Sequence, residues 1–429
     1  MTSQNASTLS IEDREQIYRV STDDGSNGGT HLHEYVLRGL RENEVRRWSE
    51  FCASVFAYKK DPPPAEYFYR HYANDPSTRA PGSSKLIRVA VLGDEIVASC
   101  RIFLRTIAGH TATTPETPAG KSLSSSSLHA GGIGEVCTAV EHRRRGLSTK
   151  LLENAIAIME DRTDLRVSSL HAAPTFFPLY ESMGYSAPPP SNPAGGNRWS
   201  TVEFGWTGSI FRALSNDAPA DPLRIRPAEF PGDTDTLRRL HAAYSEQRFA
   251  GCILRSTDYW NDYLSKELEG SLWVLESGSR ILAWLSLRPA KGGAGDPRRP
   301  FEVREFGMDT GLARSLSLSK GFVVGVLAAH AVRGHGTGDG AADETVVSLR
   351  LPGFLGDEIR SCERDGGADQ ESRFRFGWSS SPSVAADTID RGWMYRSLGS
   401  CPVTDGFLGF VRGTNGSTAE HFVWPSDSF

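Results

Sequence analysis

The chain has 429 residues, 38% of them hydrophobic and 23% charged, with a formal net charge of −5. At roughly 150 residues per domain this length calls for two or three units, and the acidic balance gives no general reason to bind nucleic acid. No apolar run approaches the ~20 residues of a membrane span, and six widely spaced cysteines with no CxxC pair indicate neither a zinc site nor a disulfide framework. Without an apolar leader core at its start, the chain is expected in the cytoplasm, with no metal, membrane or nucleic-acid partner.

Residues 1–30 are polar and read as a disordered tail. Between Arg41 and Lys59 apolar residues recur at Val45, Trp48, Cys52 and Val55, a helical stripe ended by Asp61-Pro62-Pro63-Pro64. A second short helix opens at Ala65. The run "LIRVAVLGDEIVASCRIFLRTI" has the composition of a β-hairpin turning at Gly93-Asp94, and the segment from Ala108 to Ala130, with four successive serines, reads as a surface loop. Then come a strand from Ile133 to Val140, and a helix with Leu147, Leu151, Leu152, Ala155, Ile158 and Met159 on one face. A strand from Leu165 to Ala173, a short helix in "TFFPLYESMGY" and a closing strand from Arg198 to Trp206 complete an α/β unit over 31–210. Residues 211–222 have linker chemistry. Over 223–350 the pattern partly recurs: strand, two helices, a hairpin turning near Ser277-Gly278-Ser279, a strand "FEVREFGM" and an apolar helix. The region 351–429 has short strand-like runs and no clear period.

The chemistry concentrates at Arg143-Arg144-Arg145-Gly146-Leu147-Ser148, where a strand turns into a helix. A helix N-terminus presents free backbone N–H groups and partial positive charge, glycine allows close backbone approach, and arginines neutralise an anion. Arg-x-x-Gly-x-Ser in this context resembles the pyrophosphate loop of the GNAT superfamily of acyl-CoA-dependent N-acetyltransferases, with serine in place of the usual final glycine or alanine. Tyr180-Glu181-Ser182-Met183-Gly184-Tyr185 resembles the Tyr-Glu-x-x-Gly-Phe signature of the same superfamily. A tandem pair whose second copy lacks the loop is similar to the Eis-type acetyltransferases and to fungal lysine N-acetyltransferases. The resemblance implies a GNAT fold (a mixed central sheet flanked by helices), a degenerate second GNAT-like domain and a C-terminal extension.

It also implies acetyl-CoA as co-substrate. The backbone of Val136, Cys137 and Thr138 would meet the pantetheine arm and acetyl group. Arg144, Arg145, Gly146, Ser148 and Thr149 would surround the diphosphate, and Thr175 would lie near the thiol. Tyr180 stands in the general-acid position of the family. For the base there are three candidates: Glu135, His171 and, by likeness to Eis-type enzymes, the terminal carboxylate of Phe429. Cys137 reads as a packing thiol, so acetyl transfer is expected by direct attack. The acceptor would be a primary amine: free lysine, a polyamine, an aminoglycoside-like amine or a protein lysine. A homo-oligomer is left open. The rival reading from another class is a non-catalytic acyl-CoA-binding or scaffold protein on the same fold.

Overall fold

In the computed structural model of the chain, residues 10–24, 29–59, 61–109, 126–189, 197–206, 223–289, 300–334, 345–364, 374–377, 388–414 and 420–427 are described. The interior of the serine-rich loop, the 211–222 linker and Phe429 lie outside them.

One strand forms within the stretch 1–30 expected to be a tail, and a second starts at its end. β1 (Gln16–Asp24) and β2 (Gly29–Gly39) make an antiparallel hairpin. Tyr18 and Val20 of β1 pack on the core while Ile17 stays 53% exposed. The strand is mostly polar, so no apolar run marks it. Next come α1 (Val45–Phe56) and α2 (Ala65–Ala73), then the expected hairpin of β3 (Ile87–Leu92) and β4 (Glu95–Gly109). Gly93 makes its turn at φ 59°, where glycine carries no Cβ penalty. β5 (Ser126–Thr138) pairs antiparallel with β4 from Ala98↔Thr138 to Gly109↔Ser126, so both flanks of the expected loop are strand.

α3 (Leu147–Asp161) links β5 to β6 (Val167–His171), which lies parallel to β5, and α4 (Phe177–Ser182) follows. Helices cover both faces of this sheet. On one, Trp48, Cys52 and Phe68 of α1 and α2 meet Val89, Val91, Ile96 and Cys137. On the other, Leu151, Leu152, Ala155 and Met159 of α3 meet Leu37, Ala98, Cys100 and Leu170.

β7 (Asn197–Trp206), expected to close this sheet, enters the second one. The strand beside β6 is instead β16 (Trp393–Ser397), from the C-terminal region. Trp199, Val202, Phe204 and Trp206 of β7 are buried in the second unit's core. Alternation gives a strand its faces but does not choose its neighbours, and so the boundary at 210 does not separate two bodies in space.

The second sheet contains β8 (Leu223–Pro227), β10 (Leu272–Ser277), β11 (Arg280–Pro289), β12 (Phe301–Met308) and β13 (Thr345–Pro352); β9 (Phe249–Ala250) lies apart from it. The order β8-β10-β11-β12-β13, with only the last pair parallel, repeats β2-β3-β4-β5-β6. α5 (Thr234–His241) precedes β10, and between β12 and β13 come α6 (Thr310–Ser315) and α7 (Lys320–Gly334). α7 holds the place of α3, while α6 fills the link where the first copy has its arginine turn. α8 (Gly353–Arg364) and β14 (Phe374–Gly377) follow β13. α9 (Pro402–Arg412) sets Phe407, Leu408 and Val411 against Ile107, Leu128 and Val167 of the first sheet. Phe422, Val423 and Trp424 then return to the core. Among the described residues no helix is long and apolar enough to cross a membrane.

Candidate active site

The parallel pairing of β5 with β6 runs from Ala130↔Val167 to Ile133↔Leu170 and stops there. β6 ends one residue later, at His171, so it does not pair with the stretch Val136, Cys137 and Thr138 of β5. On its other side β5 slips register against β4 between Ser99 and Arg101. Arg101 pairs with Gly134 and Ser99 with Cys137, leaving Cys100 opposite both Glu135 and Val136. This is a β-bulge, which bends the strand and re-aims a side chain. Glu135 sits in it at φ 53°, a left-handed conformation that costs a non-glycine residue about 1–3 kcal/mol.

The bulge buries the Glu135 carboxylate, whose side chain is 8% exposed with Oε1 3.5 Å from Nη1 of Arg101. Its Oε2 is buried with no hydrogen-bond partner. Burial pushes this carboxyl up to about 7, outweighing the pull of Arg101.

The arginine turn follows. Arg143 donates from Nε to the carbonyl oxygen of Thr138 at 3.1 Å, and Arg144 and Gly146 take φ of 59° and 75°. A Cβ at position 146 would stand 2.8 Å from Oη of Tyr18, and that hydroxyl donates to the carbonyl of Arg145 at 3.0 Å. Thus both conformation and packing require glycine. No side chain caps α3 and its first turn holds no acidic residue, so the N–H groups of Leu147, Ser148 and Thr149 face a position suited to an anion. Arg143 and Arg144 are exposed. Arg145 donates to Oη of Tyr35 at 2.6 Å, and Oγ1 of Thr138 lies 2.8 Å from Oγ of Ser148, tying the strand end to the helix start. Thr175 is exposed on the 3-10 turn Pro174–Phe176, just past β6.

Tyr180, on α4, is half-buried against the core under α3. Its ring meets Tyr185 edge-on at 6.2 Å. Burial, with a smaller push from the Cys100 thiol, raises its phenol to about 12. Cys100 also feels the charge of Glu135. Tyr180 and Glu135 therefore flank the bulge, the first from the α3 face and the second from the α2 face.

His171 is held elsewhere. Its Nε2 lies 2.9 and 3.1 Å from the carboxylate oxygens of Asp390, on β15 (Thr388–Asp390), and its ring lies 5.3 Å from that of Trp393. Cys137 is buried with its sulfur 4.0 Å from that of Cys52. Phe429 is outside the described residues. Two positions earlier, Asp427 is buried and accepts from Arg255 at 2.7 Å.

Other groups around the bulge carry no sequence motif. Asp75, which precedes the turn Pro76–Thr78, accepts from Arg101 at 3.3 Å and from Arg105 at 2.9 Å, and all three are buried. Arg101 and Arg105 are four residues apart on one face of an apolar strand, a spacing visible in the sequence and costly unless each charge is paired. From the second unit, Glu267 reaches His71 of α2 at 3.3 Å and pairs with Arg304 of β12. Tyr67 of α2 is pushed up to about 12 by burial and then by Glu267 and Glu135, against Arg288 and Arg304. The second unit thus walls the α2 side of the bulge.

Residues 36–187 match the family described as "Acetyltransferase (GNAT) domain". No curated protein matches the chain in sequence. Among solved structures, a GCN5-related N-acetyltransferase from Anabaena variabilis is similar at TM-score 0.50 and 12% identity, over 86% of this chain and 74% of that one. One from Kribbella flavida gives TM-score 0.48 and 17% identity over 85% and 71%. Eis1 from Mycobacterium abscessus gives 0.42 and 12% over 85% and 73%.

Proposed function

We propose that the chain, whose residues 36–187 match a GNAT acetyltransferase domain, transfers acetyl from acetyl-CoA to a primary amine by direct attack, with Glu135 as base and Tyr180 as acid. Domains of this family use an acyl-CoA as co-substrate, which supports acetyl-CoA here. The arginine turn suits its diphosphate and the open edge of β5 its pantetheine arm. The observation that carries the catalytic assignment is Glu135 itself: a buried carboxylate aimed by a bulge, with one oxygen unsatisfied. A buried acceptor atom without a donor is costly, and an incoming amine would supply the donor.

The amine arrives largely protonated at neutral pH. Glu135 takes its proton, directly or through water, and the freed nitrogen attacks the thioester carbonyl. As the tetrahedral intermediate collapses the C–S bond breaks, and the Tyr180 phenol gives its proton to the departing thiolate. The nitrogen gives its surplus proton to the Tyr180 phenolate, directly or through water, so the products are the neutral amide and free CoA, and Glu135 then releases its proton to solvent. A phenol raised by burial stays protonated until that moment, which suits it to donate.

His171 is less well placed for the base, because its Nε2 is committed to Asp390. The acceptors proposed are free lysine, a polyamine, an aminoglycoside-like amine or a protein lysine, and the acidic balance of the chain, with a formal net charge of −5, suits a cationic one. The widely spaced cysteines fit a reducing cytoplasm. Mass spectrometry after incubation with acetyl-CoA and a mixture of these amines tests the reading. One or more products heavier by an acetyl group are expected, and acetyl-CoA left intact with every amine would reject it.

A further inference from the structure

We propose that Asp75 is a positioning residue for Glu135: it holds the Arg101 guanidinium away from a full ion pair, which leaves the Glu135 carboxylate able to take and release a proton. The inference rests on Glu135 being the base.

The geometry shows competition for one cation. Arg101 donates from Nη2 to Oδ2 of Asp75 at 3.3 Å and to the carbonyl of His71 at 3.5 Å. Its Nη1 stands 3.5 Å from Oε1 of Glu135, whereas a charge-assisted hydrogen bond to a carboxylate closes to about 2.7–2.9 Å. Nη1 and Glu135 Oε2 are both buried without hydrogen-bond partners. The two groups are adjacent and incompletely joined because Arg101 is anchored at its other end.

Asp75 is itself fixed. Its Oδ1 accepts from the backbone N–H and Oγ of Ser77 at 3.0 and 2.8 Å and from Arg105 at 3.1 Å. Its Oδ2 accepts from Arg105 at 2.9 Å as well as from Arg101. Two arginines outweigh the burial of its carboxyl and keep it ionised. The other titratable or charged groups around Glu135 are Cys52 of α1, Cys100 of β4, Cys137 of β5, and Tyr67 of α2, which also feels Glu267, Arg288 and Arg304. Of all these, Arg101 and Asp75 are the charges that act on Glu135 directly, with opposite signs.

An Asp75 that only caps its turn and pairs with Arg105, without acting on Arg101 or Glu135, would leave the titration of Glu135 unmoved when its charge is removed. Full-length protein carrying ¹³C at glutamate side-chain carboxyls separates the cases, the Glu135 resonance being the one missing from Glu135→Gln. Asp75→Asn keeps an oxygen for Ser77 but turns a neutral group toward Arg101, which then closes on Glu135. The Glu135 titration should move down by about one unit or more. Arg105→Gln removes the competing cation and leaves more of the Asp75 charge unscreened, so Glu135 should move up. If Asp75→Asn does not fold, Arg105→Gln carries the test alone, since it leaves Asp75 and Arg101 as a matched pair. Folded variants in which the resonance stays put, or Arg105→Gln moving it down, overturn the proposal. If the resonance moves as expected while the pH profile of acetyl transfer to spermidine or L-lysine does not follow, the positioning stands and the base assignment fails.

Discussion

A carboxyl held near 7 inside a protein keeps its proton in the folded chain at a pH where the unfolded chain has lost it. For Glu135, raised from 4.5 to about 7, the consequence is a stability penalty. It is absent below about pH 4.5, grows between 4.5 and 7, and is complete above 7. Glu135→Gln should therefore match the wild type near pH 4.5 and exceed it by about 1–3 kcal/mol at pH 8, as read by chemical denaturation at the two pH values. Equal stability at both would show that the carboxyl is not held protonated. Tyr180→Phe keeps the ring contacts and removes the proton donor. Its kcat should drop by ~10²–10⁴ with acetyl-CoA affinity nearly intact. At this scale the placement of Tyr180 on a short helix and of Arg144 to Thr149 at a strand-to-helix turn was legible because each belongs to a short contiguous pattern. The condition of Glu135 was not, since it depends on Arg101 of another strand, Asp75 before a turn and a register slip. The pair Arg101 and Arg105 in an apolar run was the available signal, and it pointed to a buried acid without naming it.

The arginine turn works as a unit because Tyr18, Arg145 and Gly146 are packed together. Gly146→Ala asks for a left-handed alanine and pushes a Cβ into the Tyr18 hydroxyl, so the turn must shift. Acetyl-CoA affinity should weaken about tenfold, roughly 1.4 kcal/mol, in titration calorimetry of a folded variant. Unchanged affinity would remove this turn from the diphosphate site. Elements with strong periodicity, such as α1, α3 and the β3–β4 hairpin, were readable from the sequence. The β1–β2 hairpin was not. Its side chains are mostly polar, and Tyr18 earns its place by a hydroxyl contact 127 residues away, which no local pattern encodes.

At the scale of the whole molecule each half lends a strand to the other: β7 lies in the second sheet and β16 beside β6. A chain ended after residue 210 would remove β16 from the outer edge of β6 and expose Trp199, Phe204 and Trp206. It should aggregate or stay unfolded, as checked by size-exclusion chromatography and circular dichroism, and a stable monomer would contradict the exchange. The repeat was legible as a recurring order of elements, but the exchange was not, because partner choice is set by packing between distant segments. The two copies also differ where the co-substrate would bind, since α6 occupies the second link. The most direct test of the central claim is the pH dependence of kcat for acetyl transfer in wild type and Glu135→Gln. The wild type should rise with pH through a midpoint near 7, as Glu135 loses its proton, and then level. The variant should be slower throughout and climb steadily as the amine itself becomes neutral, with no break near 7. A Glu135→Gln enzyme that keeps the wild-type rate and the same midpoint would contradict the account.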